Sequence, residues 1–106
     1  MSEEKKNKTE TVDPNVIPLN SPLKVGDNEI TSITLRQPLV EDLLDAAAQA
    51  GPGSGNFAIE AYTVAIVSGV PIEDLRKMKS YDYYAVTRRF RVLDDGLEAG
   101  EFASSS

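Results

Sequence analysis

The sequence predicts an α+β, mostly helical fold, in which an N-terminal β-hairpin is followed by about four helices between disordered termini. Three observations carry that expectation. Apolar and polar residues alternate on both sides of Gly26-Asp27-Asn28, a turn triplet whose residues tolerate positive φ. After Pro38, apolar residues recur at helical spacing in segments separated by glycine or proline. Both ends are polar and show no sustained period. The chain divides accordingly into a disordered N-terminal arm at 1–21, one hairpin-plus-helices domain at 22–93, and a flexible acidic tail at 94–106.

The hairpin is expected over 22–36. Leu23 and Val25 alternate with polar neighbours before the turn, and Ile30, Ile33 and Leu35 lie after it. Pro38 stops the strand and opens the first helix, expected from Leu39 to Ala50. Leu39, Leu43, Ala47 and Ala50 form its apolar stripe, widened by Val40 and Leu44. Glu41, Asp42 and Asp45 mark a solvated side. Gly51-Pro52-Gly53-Ser54-Gly55 ends this helix as a flexible link. The second helix, Phe57 to Ser68 with Asn56 as cap, carries Glu60 as its only charge and is expected at the centre of the fold. Pro71 starts a short third helix, Ile72 to Lys79, with acids in its first turn and bases in its last. Ser80 caps a fourth, Tyr81 to about Leu93, whose apolar seam is Tyr83, Val86, Phe90 and Leu93.

Composition narrows the function. There is no Cys and no His among the 106 residues, which removes thiolate and imidazole nucleophiles, the commonest general base, and Cys/His zinc sites. Glu41, Asp42 and Asp45 lack the alternating oxygen ligands and glycine of a calcium loop. Asp27-Asn28-Glu29 is a turn before it is a metal site. The glycines at 51, 53 and 55 have neither the lysine nor the preceding strand of a phosphate-binding loop. The chain reads as a non-enzyme without cofactor or metal. The most apolar run, Ala61 to Val70, is about half of the ~20 residues a bilayer helix needs. No secretory pattern opens the chain, so a cytoplasmic location is expected.

The net charge of −6 sits mostly in the two ends, and 21–93 is nearly neutral. Within it Arg76, Lys77, Lys79, Arg88, Arg89 and Arg91 cluster with Asp82 as the only acid, beside Tyr81, Tyr83 and Tyr84. Such a stretch can hold phosphates and stack bases. It can also dock an acidic protein surface, including the Glu41/Asp42/Asp45 face or acidic tail of a neighbouring copy. Alternatively, it is a charged surface with Tyr83 and Phe90 in the core. Candidate partner contacts are Tyr83, Tyr84, Arg88, Arg89, Phe90 and Arg91.

Thr34-Leu35-Arg36-Gln37-Pro38, followed by Asp42-Leu43, resembles a signature of phage tail assembly chaperones in which a strand runs into the first helix. The stretch from Ser68 through Leu75 to Met78, followed by Tyr81-Asp82-Tyr83, is similar to the family's later step, where an Asp-Tyr opens the last helix. The matching positions are Leu35, Arg36, Pro38, Asp42, Leu43, Leu75 and Asp82. The resemblance implies a non-catalytic protein of long-tailed phages or prophages that binds and solubilises the tape measure protein and helps recruit tail tube subunits. It implies the host cytoplasm rather than the mature virion and weighs against nucleic acid; self-association is an expectation from the small size of the folded unit, and no membrane partner is expected from the short apolar run. Two other readings stand beside it: a small nucleic-acid-binding regulator using 76–91, and a structural head-tail joining protein.

Overall fold

The computed structural model describes residues 13–96, and the expectations placed on 1–12 and 97–106 lie outside them. Two antiparallel strands come first, β1 (Val16–Val25) and β2 (Asn28–Thr34). Four helices follow: α1 (Val40–Ala50), α2 (Asn56–Ser68), α3 (Ile72–Leu75) and α4 (Ser80–Asp94). The expected hairpin and four helices are all present.

The hairpin turn holds because Val25 pairs with Asn28 across Gly26-Asp27, and Gly26 takes φ 62° at the first central position. A positive φ there matches the twist of the flanking strands and favours glycine. The strand itself starts earlier than the sequence suggests. β1 begins at Val16, inside the segment expected to be a disordered arm. The reason is a bulge: Pro18 pairs with Ser32, but the next paired residue is Leu23, opposite Ile30. Five residues of advance on β1 thus face two on β2, and the interruption erases the period of 2 that marks a strand in sequence. Pro18 and Pro22 are tolerated because a two-stranded sheet has only edge strands.

One face of the hairpin supplies Ile17, Leu23, Ile33 and Leu35 to the core. They meet Val64, Ala65 and Val67 of α2, Val70 and Leu75 around α3, and Val86, Phe90 and Leu93 of α4. The expected α4 seam is therefore buried, with Tyr83 packed half-buried at its edge. The helix starts one residue earlier than expected, with Lys79 rather than Ser80 at the cap position. The third helix is shorter than expected. Its α-helical bonds end with the Arg76 amide, which donates to Ile72, and the Lys77 and Met78 amides donate three residues back, to Asp74 and Leu75, as a tightened turn.

The second helix is only partly central. Thr63, Val64, Ala65 and Val67 are buried, but Phe57 in its first turn is exposed. Gly55, not Asn56, holds its N-cap position, and Gly69 closes it in the left-handed conformation at φ 75°. The Gly51–Gly55 link folds α2 back against α1.

The first helix departs furthest from expectation. Its buried residues are Asp42 and Ala46, whereas Leu39, Val40, Leu43 and Leu44 are exposed, Val40 to 71% and Leu44 to 67%. The wide apolar stripe faces solvent and the narrow Asp42/Ala46 side faces the protein. Asp42 can be buried because Arg36 meets it: the two guanidinium nitrogens donate to the two carboxylate oxygens at 2.7 and 2.9 Å.

Candidate functional site

The residues matching the family signature build the frame rather than a recognition surface. Leu35 and Leu75 are core residues. Arg36, at the end of β2, grips Asp42 at the third position of α1, and the Asp42 carboxylate also accepts the Leu39 amide at 2.8 Å. That amide is one of the unsatisfied donors of a helix start, so a single carboxylate caps α1 and ties it to the strand. The arginine bonds and the backbone bond hold the Asp42 carboxyl at about 2, below its ordinary range. Pro38 lies between the two elements, half-buried. Leu43 alone among the signature leucines is on the exposed stripe.

Asp82 plays the matching role at the other end of the sequence. It is 1% exposed, and its two oxygens accept the amides of Asn20 (2.8 Å) and Ser21 (3.0 Å). Those amides belong to the bulge of β1, where the strand ladder offers no partner. The carboxylate therefore satisfies the two bulge donors and sits in the first turn of α4, where the helix dipole favours an anion. Sequence reading placed Asp82 among the bases of the cluster; its spacing to the bulge, more than 60 residues away, leaves no local signal.

The six candidate partner residues divide. Phe90 is 3% exposed and belongs to the core, so it presents no surface in this conformation. Arg91 donates to Glu60 of α2 through two nitrogens at 2.9 and 3.0 Å, bridging the two helices. Arg89 donates to the Asn15 side chain at 2.9 Å. Tyr84 and Arg88 are exposed one turn apart on α4. Among the described residues, Arg76, Lys77, Lys79 and Arg88 form no ion pair with an acid. The Glu41/Asp42/Asp45 triad is also broken up, because Asp42 turns inward to Arg36. No cluster of three or more metal-ligating side chains occurs among the described residues.

Tyr83 and Tyr84 line an apolar groove of about 300 Å³ between the start of α2, α3 and the start of α4. Phe57 and Ala61 form one wall, Ile72, Leu75 and Met78 the floor and far side, and Arg76 reaches the rim. The Phe57 and Tyr83 rings meet edge to face at 5.9 Å, and Tyr83 and Tyr84 are 6.3 Å apart, so three aromatic rings stand in a row. The Tyr83 hydroxyl is buried with no hydrogen-bond partner. Burial, with Glu60 adding to it, pushes its pKa up to about 12 and keeps the phenol neutral. Sequence analysis found Tyr83 and Tyr84 but missed Phe57 and Met78, since the groove joins elements that no single period connects.

The chain matches the family described as phage tail assembly chaperone proteins, E, or 41 or 14, over residues 16–95. It belongs to the phage tail assembly chaperone family. The match covers all six secondary-structure elements of the described residues, including the first half of β1. Neither a curated protein nor a solved structure matches the chaperone. No helix among the described residues is long and apolar enough to cross a membrane.

Proposed function

We propose that the chaperone binds and solubilises apolar helical segments of the tape measure protein through the Phe57/Tyr83/Tyr84 groove, without catalysis. The observation that carries this reading is the open groove itself: apolar walls, three aromatic rings and one arginine, Arg76, in the lining. An amphipathic helix lays its apolar side into such a groove, and rigid aromatic anchors provide area at low entropic cost. Family membership supports a role in tail assembly; on this reading the chaperone also helps recruit tail tube subunits, works in the host cytoplasm, and leaves before the virion is complete.

Copurification with a tape measure fragment tests the site. Phe57 and Tyr84 are exposed to 64% and 52%, so Phe57→Ala with Tyr84→Ala should leave the thermal melt unchanged and weaken capture at least about tenfold, as loss of two aromatic anchors predicts. Parent-level capture by that folded double variant would place the client elsewhere.

A further inference from the structure

A basic strip on α4 leads from the end of the helix back to the groove. Arg91, Arg88 and Tyr84 are exposed and stand three and four residues apart, so they share one side of the helix. Tyr83 and Tyr84 line the groove, and Arg76 lines it from the end of α3. Arg76, Lys77, Lys79 and Arg88 form no ion pair with an acid among the described residues. Gly96 stops α4 with φ 77°, in the left-handed region that carries a chain off the helix axis. The sequence that follows has the opposite character. Over 97–106 the charges are Glu98 and Glu101, no base is present, and the large apolar side chains are Leu97 and Phe102.

From this we infer that residues 97–102 run back along the Arg91/Arg88/Tyr84 strip of their own chain and seat the Phe102 ring in the groove beside Phe57, Tyr83 and Tyr84. The lengths agree. An extended chain advances about 3.3 Å per residue, and a helix rises about 1.5 Å per residue. Glu98, two residues past Gly96, therefore reaches about 7 Å back and comes level with Arg91. Glu101 reaches about 17 Å and stands within a turn of Arg88. Phe102 reaches about 20 Å, the level of Tyr83 and Tyr84. Acids thus meet bases along the strip, and the ring meets rings at its end. Exposed ion pairs are weak, but a short tether holds the segment at a millimolar effective concentration. A contact with a millimolar Kd is then about half-formed. A client enters the groove only by displacing the segment; that consequence rests on the client reading above, whereas the contact does not.

The two ends of this path give the test two readouts. The Gln37 side chain donates to the Leu93 carbonyl at 2.6 Å, so an undocked segment leaves α4 beside Gln37 and Val40, whereas Phe57 and Tyr84 mark the groove. The chain has no Cys, so a nitroxide attached through Ser104→Cys is unique, and its broadening of backbone amide NMR signals reports where the segment lies. The Phe57, Ala61 and Tyr84 amides should broaden more than those of Gln37 and Val40. Phe102→Ala, and Glu98→Gln with Glu101→Gln, should each reverse that order, and salt should weaken the docked pattern. When labelled chains are mixed with unlabelled ones whose signals are observed, the groove amides should stay sharp. Broadening confined to the Gln37 side overturns the inference, and so does groove broadening that passes between copies. With a tape measure fragment, Phe102→Ala should raise capture about twofold, because it frees the half of the grooves that the segment occupies. Unchanged capture overturns the competition where the Phe57→Ala/Tyr84→Ala variant loses capture. Where that variant captures like the parent, the client reading fails and the docked segment stands.

Discussion

Replacing Asp82 by Asn isolates the contact that fastens the β1 bulge to α4. The side chain keeps its shape, but one carboxylate oxygen becomes an amide NH2 group, which donates instead of accepting. At present the two oxygens accept the Asn20 and Ser21 amides at 2.8 and 3.0 Å, in a site only 1% exposed. Hydrogen bonds to a charged group contribute roughly 1.5–3 kcal/mol each. Asn retains one acceptor without its charge and turns a donor toward the second amide, leaving that amide buried and unmatched. Loss of the anion from the first turn of α4 adds about 0.3–1 kcal/mol. Together these predict a cost of about 2–4 kcal/mol, which for a domain of this size lowers the melting temperature by about 8–32 °C. Urea unfolding followed by circular dichroism measures the loss. Hydrogen exchange locates it: the Asn20 and Ser21 amides should lose protection before the Ile33 and Leu35 amides do. Ser21→Ala is the control, since it removes only the exposed hydroxyl contact with Tyr81 at 2.7 Å and should cost less than about 0.5 kcal/mol. If Asp82→Asn unfolds within about 0.5 kcal/mol of the parent, the bulge does not depend on this carboxylate and the reasoning fails.

Two further predictions concern titratable groups. The Asp42 carboxyl is held at about 2 against an ordinary 3.8, so its contribution to stability is complete above about pH 4 and disappears as pH falls toward 2. Arg36 stands about half in solvent, so the contribution is about 1–2 kcal/mol rather than the full value of the shift. The stability gap between the parent and Asp42→Asn should therefore be present at neutral pH and close below about pH 3 in urea titrations. Tyr83→Phe should leave stability unchanged or raise it by up to about 1 kcal/mol, because it removes a buried hydroxyl that has no partner. The same substitution should abolish the tyrosinate absorbance step near pH 12; persistence of that step would assign it to another tyrosine.

Most of the fold could be read from the chain because its punctuation is strong. Gly26-Asp27, Pro38, the Gly51–Gly55 link, Gly69 and Pro71 each fall where an element turns or stops. The first half of β1 was hidden because its bulge breaks the alternation that identifies a strand, and Pro18 and Pro22 look like breakers until the strand is known to be an edge. The two structural carboxylates were hidden for a different reason. Asp42 and Asp82 have the composition of solvated helix starts, and only their partners, Arg36 across a loop and the bulge amides across the fold, reveal that they are buried. The groove was half visible: the tyrosine strip of α4 was readable, but Phe57 joins it only through tertiary packing.

The misreading of α1 has a physical consequence for how this family can be recognised. Periodicity shows that a helix has an apolar stripe, but not what the stripe faces. In α1 the inward side is secured by a single ion pair and one alanine, which leaves the broad stripe exposed. The signature positions Leu35, Arg36, Asp42, Leu75 and Asp82 fall on core and clasp residues. The exposed residues Phe57, Tyr84, Val40 and Leu44 fall outside it, and Leu43 is the signature position that shares the exposed α1 stripe. A motif of that kind identifies the frame on which a binding surface is carried and says little about the surface. Under the proposed function, different clients would be met by changes among the groove side chains, while the Arg36–Asp42 and Asp82–bulge clasps keep the same helices in place. Variants at Phe57 or Tyr84 should accordingly alter binding with little effect on folding, and variants at Asp42 or Asp82 should do the reverse.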